Sequence, residues 1–543
     1  MSLPLANLLF NKNLRTFNSY NETYPNRNNS AVTRIAPSPT GKLHLGVLYT
    51  ALINRMVAYN GVFYLRIEDT DKKREVEGAI DDIISGLKAF GIKIDEGYNF
   101  GGDYAPYKQS ERVEIYHSAC KWLAEQGLAY PCFCLPEELE KQREMQQAQK
   151  LKIGYKQEFA KCRNLTIDEI KQNLAGGKPY VLRFKSNGDE ENKIKVKDLV
   201  RGELELSEND LDFVLLKSDG VPTYHLAHVV DDFLMRTTHV IRGDEWLSSL
   251  PIHLQLFHAL ELKPPKYAHI SPIMVSDNGS KRKLSKRKDE VAAVSYFLQK
   301  GFHPPAVIEY LLTIASSGFE GWRKGNQAAN PFEFALDLRK MSVSGALFDL
   351  DKLIDISRTI IAKMTAEEVL ENMLEWAKIY DKNLFERLNT DKAKAIEIFE
   401  IDRGGKNPRR DIAVWGDVAE FISMFYDDSF KPDYTLPENI KPEDAAQILQ
   451  EYAKTFELNC EKQQWFENLK SIAEKFGFSP DVKAYKQNPN EFKGHVGDVA
   501  GILRIAICGK PQAPDLFSVM QILGEIEVCK RLERATIYYE GAR

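Results

Sequence analysis

Arg34-Ile35-Ala36-Pro37-Ser38-Pro39-Thr40-Gly41-Lys42-Leu43-His44-Leu45-Gly46 is the stretch that decides the fold of this chain. The apolar run at 32–36 predicts a short buried strand, and the two prolines prevent that strand from continuing. From Val47 onward apolar residues recur at helical spacing, and Asn60-Gly61 predicts the helix end. His44 is therefore expected at a strand-to-helix turn, where free N–H groups and the positive end of the helix dipole favour phosphate.

The imidazole of His44 has two possible tasks at this turn. It can donate a hydrogen bond to a phosphate oxygen as charge builds up, or it can only cap the helix. Gly41 and Gly46 allow the backbone to approach a ligand without a Cβ in the way. A His-x-Gly pattern alone is common, so the phosphate role depends on what else the chain carries.

A second segment, Lys283-Leu284-Ser285-Lys286-Arg287, is short and basic. It lies in a run of six cations within eight residues, which is usually a solvated face or a nucleic-acid patch. The preceding Ser276-Asp277-Asn278-Gly279-Ser280 has turn chemistry and predicts a loop that can move. A mobile lysine pair suits a leaving pyrophosphate, so the two segments together can hold one triphosphate for adenylyl transfer onto a carboxylate.

Length, charge and cysteine content limit the class of protein. A chain of 543 residues predicts several domains, and its net charge of −5 means that any nucleic-acid partner requires a local basic surface. Seven cysteines in such a length indicate a reducing compartment, and no apolar run is long enough for a membrane span. Lys12, Arg15 and Arg27 resemble transit-peptide cations, but we favour an ordered or tethered extension of a cytoplasmic protein.

The two signature segments resemble the paired nucleotide motifs of class I aminoacyl-tRNA synthetases. Neighbouring segments narrow the resemblance to the bacterial-type glutamyl-tRNA synthetases. These segments follow one another in the family's order and lie at residues 34–41, 65–71, 106–112, 222–227, 230–232 and 241–246. The match is densest over residues 31–350 and continues more weakly to the C-terminus.

The resemblance implies an α/β fold in which a class I Rossmann-type catalytic domain is split by an inserted domain and followed by an all-α anticodon-binding region. The expected divisions are an N-terminal extension (1–30), the catalytic domain (31–107 plus 226–279), an inserted acceptor-binding domain (108–225), a stem-contact region with the basic loop (280–350) and two helical anticodon-binding parts (351–465 and 466–543). The residues support this outline, because strand and helix patterns alternate over 31–107 and amphipathic helix dominates 290–543.

For the amino acid, the resemblance implies a pocket of seven residues. These are Arg34, Ala36, Ser38, Glu68, Tyr224, His228 and Arg242. We assign Arg34 with Tyr224 to the γ-carboxylate and Glu68 to the α-ammonium, because a planar guanidinium can hold both carboxylate oxygens. Arg242 can serve the α-carboxylate or the γ end, and the sequence leaves this open. His228 stands where the family commonly has asparagine, so it either adds a donor or repacks the wall.

For the nucleotide, the resemblance implies that His44, Lys283 and Lys286 are catalytic and act by positioning and charge stabilisation, without a protein nucleophile. The expected ATP-binding residues are His44, Gly46, Glu245, Lys283, Leu284, Ser285 and Lys286. Mg²⁺ is expected to accompany ATP, since the phosphates hold it. The expected partners are ATP, glutamate and tRNA(Glu), with tRNA(Gln) left open, and we expect a monomer.

Local cations are the candidates for tRNA contact. They are Arg74 and four residues of one glycine-proline loop, Arg403, Lys406, Arg409 and Arg410. The alternative for this loop is a solvated surface without phosphate contact.

A cysteine group raises the question of a metal. Cys132-Phe133-Cys134 with Cys162 resembles a zinc knot of some family members, but Asn164 stands at the fourth position. Structural zinc takes four nitrogen or sulfur ligands, and Tyr155 is a poor substitute. We therefore expect three reduced cysteines and no protein-bound metal.

The leading interpretation is a glutamate–tRNA ligase that forms glutamyl-adenylate and passes the glutamyl group to the 3′ end of tRNA. A paralogue that glutamylates a nucleoside within tRNA lacks an anticodon domain, and the long helical tail argues against it. A glutaminyl-tRNA synthetase stays open, although two arginines favour an anionic substrate. A non-catalytic tRNA-binding homologue is disfavoured by intact His44, Glu68, Lys283 and Lys286.

Overall fold

The computed structural model describes residues 2–28, 30–405 and 408–541. The chain divides into two compact units, one of residues 1–297 with 307–350 and one of residues 298–306 with 351–543. Within the described ranges, no helix combines the length and the apolar character that crossing a membrane requires.

The elements up to the basic segment alternate between helix and strand. In chain order they are α1 (Ser2–Leu9), α2 (Phe17–Thr23), β1 (Val32–Ile35), α3 (Leu45–Val57), β2 (Val62–Leu65), α4 (Ala79–Ala89), β3 (Glu96–Gly97), α5 (Val113–Glu125), β4 (Ala129–Cys132), α6 (Pro136–Ala148), α7 (Ile167–Ala175), β5 (Val181–Phe184), β6 (Lys193–Asp198), β7 (Gly202–Ser207), β8 (Val214–Leu216), α8 (Tyr224–Leu234), β9 (His239–Gly243), α9 (Leu250–Ala259), β10 (Lys266–Ile270), β11 (Met274–Asp277) and β12 (Ser280–Lys283).

Helices make up the regular structure described after that point. They are α10 (Val294–Lys300), α11 (Pro304–Ala315), α12 (Phe319–Gly325), α13 (Leu350–Ile361), α14 (Ala366–Tyr380), α15 (Lys382–Thr390), α16 (Lys392–Glu400), α17 (Val418–Ile422), α18 (Pro442–Thr455), α19 (Lys462–Lys475), α20 (Val482–Gln487), α21 (Val496–Cys508), α22 (Leu516–Leu523) and α23 (Glu525–Gly541). No strand follows β12 in the described ranges, so the predicted all-α C-terminal region is confirmed.

Parallel strands position the candidate site in the first unit. β2 lies between β1 and β3, and β10 lies between β9 and β6, with every one of these neighbours parallel. Thr238 joins the two groups, because its N–H donates to the Val32 carbonyl at 3.0 Å. The carboxyl ends of β1, β2 and β9 therefore face one edge, where ligands of open α/β sheets bind.

The N-terminal extension is an ordered part of the first unit. Ala6, Phe17 and Tyr24 are buried in the same apolar core as α5 and α8. Arg27 forms a two-bond ion pair with Glu96 at 2.7 and 2.8 Å. These contacts attach the extension to the rest of the first unit through both apolar and charged groups.

The basic segment begins as a strand, which corrects the prediction of a loop from residue 276. β11 and β12 pair in antiparallel register around Asn278 and Gly279, whose φ angles of 48° and 82° are left-handed. An Asn-Gly pair supplies both left-handed positions of the two-residue turn that joins adjacent strands. The chain leaves the hairpin at Leu284, whose side chain is buried.

The second unit has its own helical core. Thr365 and Glu368 form a reciprocal cap at the start of α14. On the same helix, Val369, Met373 and Ala377 are buried at helical spacing. The apolar face of α14 therefore packs into the core in the way its sequence pattern predicts.

Candidate active site

His44 performs the first of the two tasks that its sequence position allows, the capping of a helix, and keeps a free ring nitrogen for the other. It is the N-cap of α3, and its Nδ1 accepts the Gly46 N–H at 2.8 Å. Burial lowers the pKa of His44 to about 4, and the charges of Lys286 and Lys283 add to that shift. The imidazole is therefore neutral near pH 7 with its proton on Nε2, so that it caps the helix with one nitrogen and keeps a donor on the other.

A cavity of about 200 Å³ opens beside this histidine. Five of the predicted ATP residues line it, namely His44, Gly46, Glu245, Lys283 and Leu284. Its remaining walls are Val47, Tyr49, Thr50, Gly243, Ile270, Ser271, Pro272 and Ile273. A Cβ at Gly243 would lie 2.3 Å from the Glu245 carboxylate, so a larger residue there would displace the Glu245 side chain from this wall of the cavity.

Two lysines of the basic segment border the cavity and its histidine. The Nζ of Lys283 lies 3.5 Å from the Glu245 carboxylate, and both side chains are about half exposed. The Nζ of Lys286 donates to the Lys42 carbonyl, two residues before His44. Both cations thus lie at the mouth of the site without a buried partner.

A cluster of ion pairs holds the two ends of the segment that carries these lysines together. Arg282 donates two hydrogen bonds of 2.7 Å to Asp289 and one of 2.6 Å to Asp277. Asp289 also accepts the Ser285 N–H at 2.9 Å. The signature residues are therefore held between a hairpin on one side and a carboxylate on the other.

The charge of Arg34 is compensated within the protein. Its guanidinium is buried and donates to Asp232 at 3.0 and 3.3 Å. Asp232 also accepts from Arg66 at 3.1 Å and from Thr237 at 3.0 Å. These cations hold the pKa of Asp232 well below its usual range despite burial. Arg34 thus has a carboxylate partner already, which the assignment to the γ-carboxylate did not include.

Glu68 lies at the carboxyl end of β2, opposite the turn that follows β1. Its carboxylate accepts from Arg66 at 3.0 Å, and its N–H donates to the Pro37 carbonyl at 3.1 Å. Burial raises the pKa of Glu68, while the Arg66 charge opposes that shift. Ala36 and Ser38 occupy the facing turn, half-buried and exposed respectively.

Tyr224 and His228 form one wall of this region. Their rings stack with centroids 5.6 Å apart, and the other side of Tyr224 contacts Trp246. His228 places Nδ1 2.5 Å from Asp232 and Nε2 3.0 Å from the Tyr267 hydroxyl. Burial lowers the pKa of His228 to about 3. His228 is fully buried, with Nε2 bonded to Tyr267 and Nδ1 facing Asp232, which favours a role in the wall, and a donor role towards the substrate stays a prediction.

Arg242 differs from Arg34 in its partners. It is buried at the end of β9 and donates to the Tyr224 hydroxyl at 3.3 Å and to two imidazole nitrogens. None of the residues that the structure describes places a carboxylate within ion-pairing distance of it. Arg242 is therefore a buried cation whose charge is not compensated by an acid.

Sequence reasoning named neither Asp232 nor Asp289 as site residues. The segment containing Asp232 was recognised as a family motif, and His228 and Asp232 are four residues apart on α8, a spacing that places side chains together. For Asp289, the available signal was the Asn278-Gly279 pair, which predicts a hairpin. Arg282 lies on the second strand of that hairpin and bonds to Asp289 in the turn that follows it.

The three cysteines of the predicted zinc knot lie together. The Sγ atoms of Cys132, Cys134 and Cys162 are all within 4.8 Å of one another. The Tyr155 hydroxyl is 3.3 Å from two of them, whereas Asn164 is exposed. Three sulfurs supply three of the four nitrogen or sulfur donors that a structural zinc site takes.

Tyr155, the poor substitute for a fourth ligand, has its hydroxyl beside these sulfurs. Burial raises the pKa of this hydroxyl, so it stays protonated and is a weak metal ligand. The expected lack of zinc stays a prediction. Element analysis of protein purified without chelator tests it, with Cys162→Ser as the variant that would release a bound ion.

Two of the arginines predicted to contact tRNA make contacts within the protein. Arg403 donates to the carbonyls of Ile361, Met364 and Phe399, which lie at helix ends. The Arg409 side chain is only 9% exposed and covers the Phe421 ring at 4.5 Å. Arg403 is half-buried and the Arg409 side chain is largely buried, which disfavours phosphate contact, and their role towards tRNA stays a prediction.

The remaining tRNA candidates are exposed. Arg410 pairs with Asp355 at 2.7 Å and keeps half of its side chain in solvent. Arg74 pairs with Asp71 at 2.7 Å and is 72% exposed. Lys406 lies outside the described residues. Arg74 and Arg410 therefore stay predictions as phosphate contacts.

Comparison with known proteins agrees with this geometry. Residues 30–353 match the model of the class I tRNA synthetase (E and Q) catalytic domain, and residues 368–536 match that of an anticodon-binding domain. A glutamate–tRNA ligase of Clostridium perfringens is 48% identical over 97% of this chain and 99% of its own length. A glutamate–tRNA ligase of Acetivibrio thermocellus is 47% identical over 98% of this chain and 99% of its own length.

A solved structure extends the likeness to three dimensions. It is a glutamate tRNA ligase from Elizabethkingia meningosepticum in complex with its amino acid, 28% identical to this chain. The match has a TM-score of 0.74 and covers 94% of this chain and 99% of the other. Together with the cavity at His44 and the buried arginines at the carboxyl edge of the sheet, these matches show that the chain belongs to the glutamate–tRNA ligase family of class I aminoacyl-tRNA synthetases.

Proposed function

We propose that this chain joins glutamate to tRNA in two steps at the carboxyl edge of its parallel sheet. The observation that carries the proposal is the neutral, donor-bearing His44 beside a cavity lined by predicted ATP residues. The buried charges of Arg242 and Glu68 lie along the same edge. A nucleotide and an amino acid can therefore be held side by side.

In the first step, the glutamate α-carboxylate attacks the α-phosphorus of ATP, and pyrophosphate leaves. Nε2 of His44 donates to a phosphate oxygen as negative charge develops there. Lys283 and Lys286 stabilise the departing pyrophosphate from the mouth of the cavity. Mg²⁺ bound with ATP would neutralise part of the phosphate charge, and the phosphates rather than a protein cage would hold it.

The amino-acid end supplies opposite charges for a zwitterion. Arg242 receives the γ-carboxylate, because its charge has no acid partner, and the Tyr224 hydroxyl lies beside it. Glu68 receives the α-ammonium. This proposal replaces the assignment of the γ-carboxylate to Arg34, because the Arg34 charge is already paired with Asp232. Ala36 and Ser38 form the turn that faces the amino acid.

In the second step, a hydroxyl of the terminal tRNA ribose attacks the activated carbonyl, and AMP leaves. No side chain forms a covalent intermediate. The helical second unit carries the anticodon-binding match, so it is the proposed reader of the anticodon. We also propose that one chain suffices as a monomer, which light scattering of the free protein tests.

Exchange of labelled pyrophosphate into ATP tests the proposal. We expect exchange with glutamate in the presence of tRNA(Glu), and little exchange with glutamine. Charging of purified tRNA(Glu) and tRNA(Gln) then determines whether one or both are substrates. Exchange with glutamine and none with glutamate would identify a glutaminyl-tRNA synthetase instead. Failure to exchange with either amino acid would favour a non-catalytic homologue.

A further inference from the structure

Arg242 is held by histidines instead of acids. Its Nε donates to Nε2 of His269 at 3.0 Å, and its terminal nitrogens donate to Nδ1 of His253 at 3.2 Å. Both histidines are fully buried. A guanidinium has only donors, so the two imidazole nitrogens that face it must be acceptors.

The tautomer of His269 is set by an acid farther from the site. Asp198 accepts from Nδ1 of His269 at 2.7 Å and from the backbone N–H groups of Val200 and Arg201 at 2.9 Å. These bonds hold the pKa of Asp198 below its usual range, although burial opposes them. Because Asp198 stays ionised, the His269 proton lies on Nδ1 and its Nε2 lone pair faces Arg242.

His253 is arranged in the same sense. Its Nδ1 accepts from Arg242, so its proton lies on Nε2, which is 3.1 Å from Nδ1 of His225. Burial holds the pKa of His253 well below its usual range and is the main cause of the lowered pKa of His269. Both imidazoles are therefore neutral near neutral pH.

Neutral acceptors orient a guanidinium without cancelling its charge. A carboxylate in either place would orient Arg242 equally well but would pair with it, as Asp232 pairs with Arg34. An uncompensated buried cation favours an anionic ligand over a neutral amide, because only the anion repays its desolvation.

We propose that His253 and His269 are positioning residues that aim Arg242 and keep its charge free, and that they thereby set the preference for a γ-carboxylate over an amide. Asp198 supports this arrangement by fixing the tautomer of His269. The inference rests on the proposed function, in which Arg242 receives the γ-carboxylate.

The first test compares variants that remove or keep the hydrogen-bond acceptor at position 269. His269→Ala should raise the KM for glutamate in pyrophosphate exchange by about tenfold to hundredfold, the scale of a misaimed binding group. The KM for ATP should change little. His269→Gln retains an acceptor oxygen and should recover much of the glutamate affinity. His258→Gln, on the exposed face of the helix that carries His253, is the control for replacing a histidine.

The second test changes only charge. His253→Glu places an acid against Arg242, whereas His253→Gln places a neutral acceptor there. For each variant we compare the kcat/KM for the substrate glutamate with that for glutamine. We expect this ratio to be at least about tenfold lower in His253→Glu than in His253→Gln, because the new carboxylate opposes the substrate anion. Thermal unfolding of both variants identifies any loss of fold. Equal ratios in the two folded variants would overturn the inference.

Arg242→Ala distinguishes a failure of this inference from a failure of the proposed function on which it rests. If Arg242→Ala raises the KM for glutamate while the histidine variants do not, the proposed pocket stands and the positioning role is wrong. If Arg242→Ala itself leaves that KM unchanged, the assignment of the γ-carboxylate to Arg242 is wrong, and the inference is overturned with it.

Discussion

The two ends of the candidate site treat charge in opposite ways. At the amino-acid end, the Arg34 side chain is 4% exposed and paired with Asp232. At the phosphate end, the Lys283 side chain is 58% exposed and has only a long contact to Glu245. Selecting a small amino acid requires charges fixed before the ligand arrives, whereas releasing pyrophosphate requires cations that can follow it.

The largest effect expected from this contrast is on stability, at the amino-acid end. Arg34→Ala should lower the free energy of unfolding of the first unit by about 3–5 kcal/mol, because it leaves Asp232 buried with one cation fewer. The KM for glutamate should rise as well. Denaturant unfolding measures the first effect, and Lys283→Ala is the matched control, since no buried acid depends on it. Equal stability of the two variants would contradict the contrast.

The next effect is on rate, at the phosphate end. Lys286→Ala should slow glutamyl-adenylate formation by about 10²- to 10³-fold, the usual loss of one transition-state donor. Glutamate affinity and the unfolding curve should hardly change. Lys288→Ala, an exposed cation two residues away, provides the comparison for general loss of charge. Wild-type exchange rates in Lys286→Ala would mean that the lysine is only a surface cation.

The outline of the site was predictable from local sequence, because each signal lies within a few residues. The prolines and Gly41 predict the turn before His44, and the structure has the strand end and helix start within a few residues of the expected positions. The partner of Arg34 lies 198 residues away in sequence. No local pattern connects that pair, so its compensated charge became visible only once the sheet was assembled.

The same reasoning applies to the glycine-proline loop of the second unit. A glycine-proline loop with several cations is typical of a solvated surface, but Arg409 covers the ring of Phe421, twelve residues later. An amphipathic side chain can bury its stem and its planar head against an aromatic ring, and composition does not show which arginine does so. The basic hairpin, by contrast, had a local signal in Asn278-Gly279. The sequence analysis predicted a turn there but did not predict the paired strands on either side of it.

At the phosphate end, the lowered pKa of His44 determines how stability and rate depend on pH. The pKa of His44 is about 4 in the folded protein, below its ordinary value near 6.5. A lowered pKa favours the neutral form on folding, so this contribution to stability is complete above pH 6.5 and is lost as the pH falls towards 4.

We therefore expect the adenylation rate to show no inflection near pH 6.5 that arises from His44. His44→Asn keeps an N-cap but removes this titration, so the pH profiles of the two proteins should have the same shape above pH 6. An inflection near pH 6.5 that disappears in the variant would show that His44 is protonated in the working range.

The smallest effect is expected at the tRNA surface, where one exposed and one buried arginine are neighbours. Arg410→Glu should lower the magnitude of the salt-dependence slope of tRNA binding by about one and leave thermal unfolding unchanged, if Arg410 contacts one phosphate. Arg409→Glu should lower the unfolding temperature, because it buries a new acid against Phe421. A salt slope unchanged by Arg410→Glu would make this loop a solvated surface only.

The ties of Arg282 to Asp277 and Asp289 have a consequence for how ATP binds. Ordering one residue of a free loop costs about 1–2 kcal/mol of conformational entropy. Here the Arg282 ion pairs hold the chain around the signature residues in the folded protein. The backbone is then ordered before the nucleotide arrives, and only the lysine side chains still lose freedom on binding. ATP affinity in this protein should therefore report the match of charges at the phosphates, with little contribution from a disorder-to-order transition of the loop.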